Sequence, residues 1–218
     1  MNQLYTKQFE LPLIFNESLI ETENFKVIPT LGSLVEGWVL VVPKKHYLSF
    51  GYLEEYLFTE LNYIHNKVIK TLQILYNDDV IVFENGALDL GSFIGCGVDY
   101  AHIHYVPLKL DIKYLVNEFY GNNIKWEKIT TLGRMKYKIE KSKPYLFIEE
   151  NNRDRYICEI HQPYSQLIRK FIANQVGKSS QYDWKEYSFE ENITKTIDKF
   201  EHLSTFKYNK KTQLVQFH

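Results

Sequence analysis

The chain has 218 residues, with 26 basic against 27 acidic side chains, 44% apolar residues and 24% charged ones. That length suits one large domain, or a small domain with an extension, and the composition suits a globular protein with a real core. The near-zero net charge excludes a broad electrostatic footprint for nucleic acid or an anionic membrane.

The 17 Tyr and 14 Phe argue against disorder and say nothing about chemistry. The most apolar run, residues 38–42, falls far short of the roughly 20 residues that a bilayer-spanning helix needs. The first residues, MNQLYTKQFELPLIF, hold neither a long apolar stretch nor an A-x-A site. Two cysteines, Cys96 and Cys158, make no disulfide framework and suit a reducing compartment, so the cytoplasm is the expected location.

In chain order, residues 25–28 read as a short strand. A turn with two glycines through residues 30–37 separates it from the apolar run 38–42, a buried strand that Pro43 stops. Residues 51–76 carry apolar side chains at 53, 57, 61, 64, 68, 72 and 75, one stripe at helical spacing. Ser49 would cap this helix, Glu54 and Glu55 suit its first turn, and Asn77 would end it. Residues 80–83 read as another strand. A loop with Gly86, Gly91, Gly95 and Gly97 leads into residues 100–106, which Pro107 ends. Along that strand Tyr100, His102, His104 and Val106 share one face, and Ala101, Ile103 and Tyr105 the other.

Beyond Leu110, residues 111–120 read as a helix, and 135–140, 145–149 and 155–160 as strands, the last two joined by the polar turn ENNRD. Residues 165–176 read as a helix ended by Gly177. Ser188 and Glu191 have capping-box spacing before a helix whose apolar side is Ile193, Ile197 and Phe200, and the last 15 or so residues are polar. The expected division is a core over 1–110 and an α+β extension over 111–218 packed on it.

The segment that carries chemistry is Gly95-Cys-Gly-Val-Asp-Tyr-Ala-His102-Ile-His104-Tyr-Val-Pro107. Two histidines at i and i+2 on a strand point the same way, about 7 Å apart. Such a pair can ligate a metal, or one imidazole can attack phosphorus while the other binds phosphoryl oxygens. A zinc site wants three or four ligands, and Tyr105–Lys109 offers none; His46 and His65 would have to converge through the fold, and His65 reads better as a packing or surface residue of the long helix. No metal or cofactor is therefore expected. Cys96 is either a nucleophile or a small loop residue, and Asp99 would orient a histidine or face solvent.

The segment resembles the motif of the histidine triad (HIT) superfamily, His-φ-His-φ-His-φ-φ, with φ hydrophobic. His102 falls on its middle histidine, His104 on its third and Tyr100 on its first. Two more blocks are similar in order and spacing: Gly32-Ser-Leu-Val-Glu-Gly-Trp38-Val-Leu-Val-Val-Pro-Lys-Lys-His46, with Trp38 where the family has a histidine, and Val82-Phe-Glu84-Asn85-Gly86. The likeness covers about residues 20–110. The second half, with Pro144-Tyr-Leu-Phe-Ile-Glu, Pro163-Tyr-Ser-Gln-Leu-Ile-Arg169 and Tyr182-Asp-Trp-Lys-Glu, resembles an extension of a longer bacterial subset.

The resemblance implies an α+β fold, an antiparallel sheet with helices on one side, often a homodimer. It implies a nucleotide hydrolase or nucleotidyltransferase acting at an α-phosphate. His102 would be the nucleophile, losing activity as it protonates below about pH 6.5. His104 would stabilise charge on the phosphoryl oxygens, with Tyr100 supporting the pocket. Asn85, with Glu84 beside it, would contact the phosphate or position His102; Thr30 would face the ribose, Gly97 the leaving group, and His46 would be a further binding residue. Tyr100, Trp38, Thr30 and Gly97 all depart from the family pattern, which keeps open a catalytically reduced nucleotide sensor or scaffold. A metal-dependent hydrolase using His102 and His104 is the other alternative. The expected partner is a small nucleotide, with no nucleic acid and no membrane.

Overall fold

A computed structural model describes residues 18–91, 99–121 and 123–215. Eight strands form one antiparallel sheet in the order β1-β2-β3-β5-β4-β7-β8-β6. The strands are β1 (Ile20–Glu21), β2 (Phe25–Pro29), β3 (Val39–Pro43), β4 (Val80–Gly86), β5 (Ile103–Pro107), β6 (Glu127–Ile129), β7 (Tyr145–Glu149) and β8 (Arg155–Glu159). Among the described residues five α-helices accompany them: α1 (Leu57–Tyr76), α2 (Ile112–Tyr120), α3 (Arg134–Glu140), α4 (Leu167–Gln175) and α5 (Glu190–Val215). The architecture is α+β. Among the described residues, no helix is long and apolar enough to cross a membrane.

β3, β5 and β7 are buried along their whole length. Their near-continuous apolar runs follow from cover on both faces of the sheet. On the first face the stripe of α1, with Leu61, Ile64, Val68 and Leu72 all fully buried, packs on Val27, Val41, Val82, Ile103 and Phe147. On the second face Ile81, Phe83, Val106, Leu146 and Ile148 meet Ile112 and Val116 of α2 and Ile168, Ile172 and Ala173 of α4. This departs from the one-sided helix layer that the resemblance implies. The reason is local: β7 continues the sheet beyond β4, pairing Glu84 with Phe147 and Asn85 with Leu146, and carries apolar side chains on its second face too.

Three element expectations change. The long helix begins only at Leu57, after a 3-10 turn at Phe50–Tyr52 and an extended Leu53. Ser49 does not cap it, since its hydroxyl donates to the Ala87 carbonyl at 3.0 Å; Asn77 does end it, in the left-handed conformation. Residues 135–140 form a helix, α3, instead of a strand. The alternation of Met135, Tyr137 and Ile139 with charged residues suggested a period of two, but Met135 and Ile139 meet the core four residues apart while Tyr137 stays exposed. β5 starts at Ile103, so Tyr100 and His102 precede the strand.

Candidate functional site

Across the second face one row of side chains spans four strands. Leu40 on β3 pairs with His104 on β5, His104 with Phe83 on β4, and Phe83 with Ile148 on β7. Strand alternation puts Asn85 on the same face as Phe83, and His102, just ahead of β5, lies beside His104. The two imidazole rings stand 4.8 Å apart, nearly perpendicular. Over this floor the second half of the chain supplies a roof of Gln166, Ile168, Arg169 and Trp184, and Thr30 and Leu31 close one rim. The cavity, partly open to solvent, measures about 40 Å³. That is room for on the order of three water molecules, against the several hundred Å³ of a usual ligand pocket.

Each histidine is held in one tautomer by its partner. The Nδ1–H of His102 donates to the Tyr100 carbonyl at 2.7 Å, which leaves Nε2 as the nitrogen with a lone pair. His104 is the reverse. The Trp38 indole N–H can only donate, and it donates to Nδ1 of His104 at 3.1 Å, so the proton of His104 sits on Nε2. Phe83 stacks on the His104 ring at 4.3 Å and fixes its plane. Burial lowers the pKa of His102, against the pull of the Tyr100 carbonyl. Burial, with the neighbouring His102 and the Arg169 cation, holds His104 well below the usual imidazole range. At neutral pH the pair is one lone-pair donor next to one N–H donor, both uncharged.

Arg169 brings the charge. It is 5% exposed, and its guanidinium lies 4.6 Å over the Trp38 ring. Nε donates to the Tyr182 carbonyl at 3.0 Å and a terminal nitrogen donates to the Gly32 carbonyl. Gln166 anchors the same roof, donating to Asp183 at 3.0 Å and accepting from the Trp184 N–H at 3.4 Å. α4 starts at Leu167, so its amino-terminal turn, at Gln166 and Ile168, borders the cavity.

Of the residues expected at the site, His102, His104, Asn85 and Thr30 line this cavity. Thr30 turns its hydroxyl to the Leu31 carbonyl at 3.2 Å. Glu84 is a correction: alternation along β4 turns it to the other face, where it accepts from the Phe50 N–H at 2.7 Å and the Tyr145 hydroxyl at 2.8 Å. Burial pushes its carboxyl up to about 8. Tyr100 contributes its carbonyl, not its hydroxyl, to the site. The hydroxyl donates to the Pro43 carbonyl and at 3.3 Å to that of Lys45, and its ring packs with Ile28, Leu40 and Val42. His46 stands outside the cavity, edge-on to the Tyr100 ring, with Nε2 on the Asp99 carbonyl at 2.7 Å. The Asp99 carboxylate accepts from the Gly91 N–H at 2.7 Å. Gly97 and Cys96 lie outside the described residues.

Behind the sheet, His65 is fully buried, with Nδ1 on the Tyr105 hydroxyl at 2.8 Å and Nε2 on Glu149 at 2.9 Å; Arg155 donates to the same carboxylate. Cys158 is buried in the second-face core, which pushes its thiol up to about 12 and makes it a packing residue. Among the described residues no three His, Cys, Asp or Glu side chains gather as a metal site.

Arg169, Trp184 and the role of Trp38 were missed. Arg169 was visible in principle, as a cation inside the otherwise apolar stripe of Ile168, Ile172 and Ala173. Trp184 had no such signal.

No protein-family model and no curated protein sequence matches the chain. Solved structures do align with it, two of them described as histidine triad or Hit-like proteins. A hypothetical histidine triad nucleotide-binding protein from Sulfolobus tokodaii strain 7 aligns over 48% of this chain and 66% of its own, at 23% identity and a TM-score of 0.37. A Hit-like protein involved in cell-cycle regulation from Bartonella henselae aligns over 62% and 93%, at 16% identity and 0.39. A Streptococcus mutans UA159 protein aligns over 56% and 83%, at 18% identity and 0.39.

Proposed function

We propose that the chain is a HIT-superfamily nucleotide hydrolase or nucleotidyltransferase that works through His102, in the cytoplasm. The observation that carries this reading is the pair of opposed tautomers. Nε2 of His102 attacks the α-phosphorus, an N–P bond forms, and the bond from phosphorus to the leaving group breaks, P–O in a polyphosphate or P–N in a phosphoramidate. The ring becomes cationic while Nδ1 keeps its proton and goes on donating it to the Tyr100 carbonyl, which strengthens that hydrogen bond. Nε2–H of His104 donates to a non-bridging oxygen as charge builds there. Water or another acceptor then attacks phosphorus and restores His102. Because burial lowers the His102 pKa, the acid limb of the rate falls below the 6.5 of a free imidazole.

The cavity of about 40 Å³ favours a second reading, a nucleotide-binding protein with little turnover, since it is far smaller than the usual pocket for a whole nucleotide. One experiment separates the two. Wild type and His102→Asn are incubated with diadenosine polyphosphates, an adenosine phosphoramidate, a nucleotide sugar and ADP. Nucleoside monophosphate release is followed by chromatography, and the adduct by intact mass. Turnover or adduct in wild type and neither in the variant is expected, with His104→Leu lower by about 10²–10³-fold. Silence from wild type alongside measurable nucleotide binding would establish the second reading.

A further inference from the structure

We infer that Arg169, carried by the 111–218 half, is the anion-recognition residue of the His102–His104 site, so that this half is part of the binding site itself. The inference rests on the proposed reading only in taking a phosphoryl group as the ligand. Among the described residues that line the cavity, Arg169 alone carries a full charge, because both imidazoles are held neutral. A phosphoryl oxygen placed between the histidines and the roof meets uncharged donors from the floor, the His104 Nε2–H and the Asn85 amide, and its negative charge needs a cation in that low-dielectric space. The guanidinium is held there by the Tyr182 carbonyl on Nε, the Gly32 carbonyl on a terminal nitrogen and Trp38 beneath it, so its plane and its charge are in place before any ligand arrives. The same indole that carries Arg169 sets the His104 tautomer. Cation, indole and imidazole N–H thus form one preset unit with contributions from both halves of the chain. The cavity of about 40 Å³ has room for a phosphoryl-sized group, which matches a site built around one anion.

The test measures binding of inorganic phosphate and of AMP by calorimetry in a His102→Asn background, where covalent chemistry is absent. Adenosine serves as the uncharged control. Adding Arg169→Gln weakens phosphate and AMP by about 10- to 100-fold, the loss of one charge-assisted contact, while adenosine binding stays within about twofold. Arg169→Lys, which keeps the charge without the fork, recovers part of the loss. Unchanged phosphate affinity in a folded Arg169→Gln protein overturns the inference, and so does an equal loss of adenosine, which marks a structural role.

Arg169 also braces the loop at Gly32, so a second measurement uses wild type alone. Titrated phosphate shifts the Arg169 Nε–H and the His104 Nε2–H resonances together, and a His104 shift with Arg169 unmoved overturns the inference. Failure of the proposed reading shows elsewhere, as absent turnover in wild type with phosphate binding intact.

Discussion

Trp38 is fully buried, and its one polar atom goes to His104. Trp38→Phe keeps most of the ring and removes the donor. The His104 proton is then expected to distribute over both nitrogens, read by ring ¹⁵N correlation spectra, at a stability cost of about 1–3 kcal/mol. An unchanged His104 spectrum would mean that something other than the indole sets the tautomer. Glu84 gives a prediction of opposite character. Its folded pKa of about 8 lies above the 4.5 of the free side chain, so between those values the native state holds a proton that the unfolded chain has released. Stability therefore falls as pH rises through that window, and the cost is complete above it. Glu84→Gln keeps an acceptor for the Phe50 N–H and cannot ionise. Against wild type it should gain on the order of 2–4 kcal/mol between about pH 5 and about pH 9 in denaturant titrations, and equal slopes would show that Glu84 is ionised in the fold. The histidines were readable from spacing alone. Glu84 was misplaced because proximity to Asn85 in sequence outweighed strand alternation, which sends neighbours to opposite faces. Tyr100 was misread because a motif position says nothing about which atom of the residue, carbonyl or hydroxyl, serves the site.

Strands and the long helix were legible because burial imposes a pattern; α3 was not, because seven residues are too few to separate a period of two from one of 3.6. The loop between β2 and β3 shows a different limit of sequence reading, since its glycines signalled a turn but not what the turn touches. Gly32 has a φ of 64°, and a Cβ there would stand 2.6 Å from the Trp184 Cβ and 2.7 Å from an Arg169 nitrogen. The same loop is clasped by α5 and the segment before it: Gly32 N–H donates to the Ser188 carbonyl at 3.0 Å, Asn192 donates to the Ser33 carbonyl at 2.7 Å, and Gly37 N–H donates to the Thr196 hydroxyl at 2.8 Å. Gly32→Ala is thus expected to cost about 1–3 kcal/mol through the left-handed backbone and the displaced roof. It should also shift the fluorescence of Trp184, whereas a neutral substitution would show that the roof yields freely.

At the scale of the whole molecule, the division at residue 110 runs through a continuous sheet. β4 pairs with β5 on one side and with β7 on the other, the latter over Val82–Gly86. The second-face core joins Trp38, Phe83 and Val106 from the first half to Ile168, Ile172 and Ala173 of α4. Residues 1–110 alone would leave the β4 edge unpaired and that apolar face in water, an arrangement that aggregates. One cooperative unfolding transition is expected for the full chain. Far-UV circular dichroism should trace the same denaturant curve as tryptophan fluorescence, which samples Trp38 in the first half and Trp126 and Trp184 in the second. The same reasoning expects the 1–110 fragment to be insoluble or unfolded. Two separated transitions would overturn this, and would mean that the roof can leave the histidine floor without loss of the core. That outcome would bear directly on entry to the site, since a roof that detaches independently would widen the cavity of about 40 Å³ for a whole nucleotide at low cost.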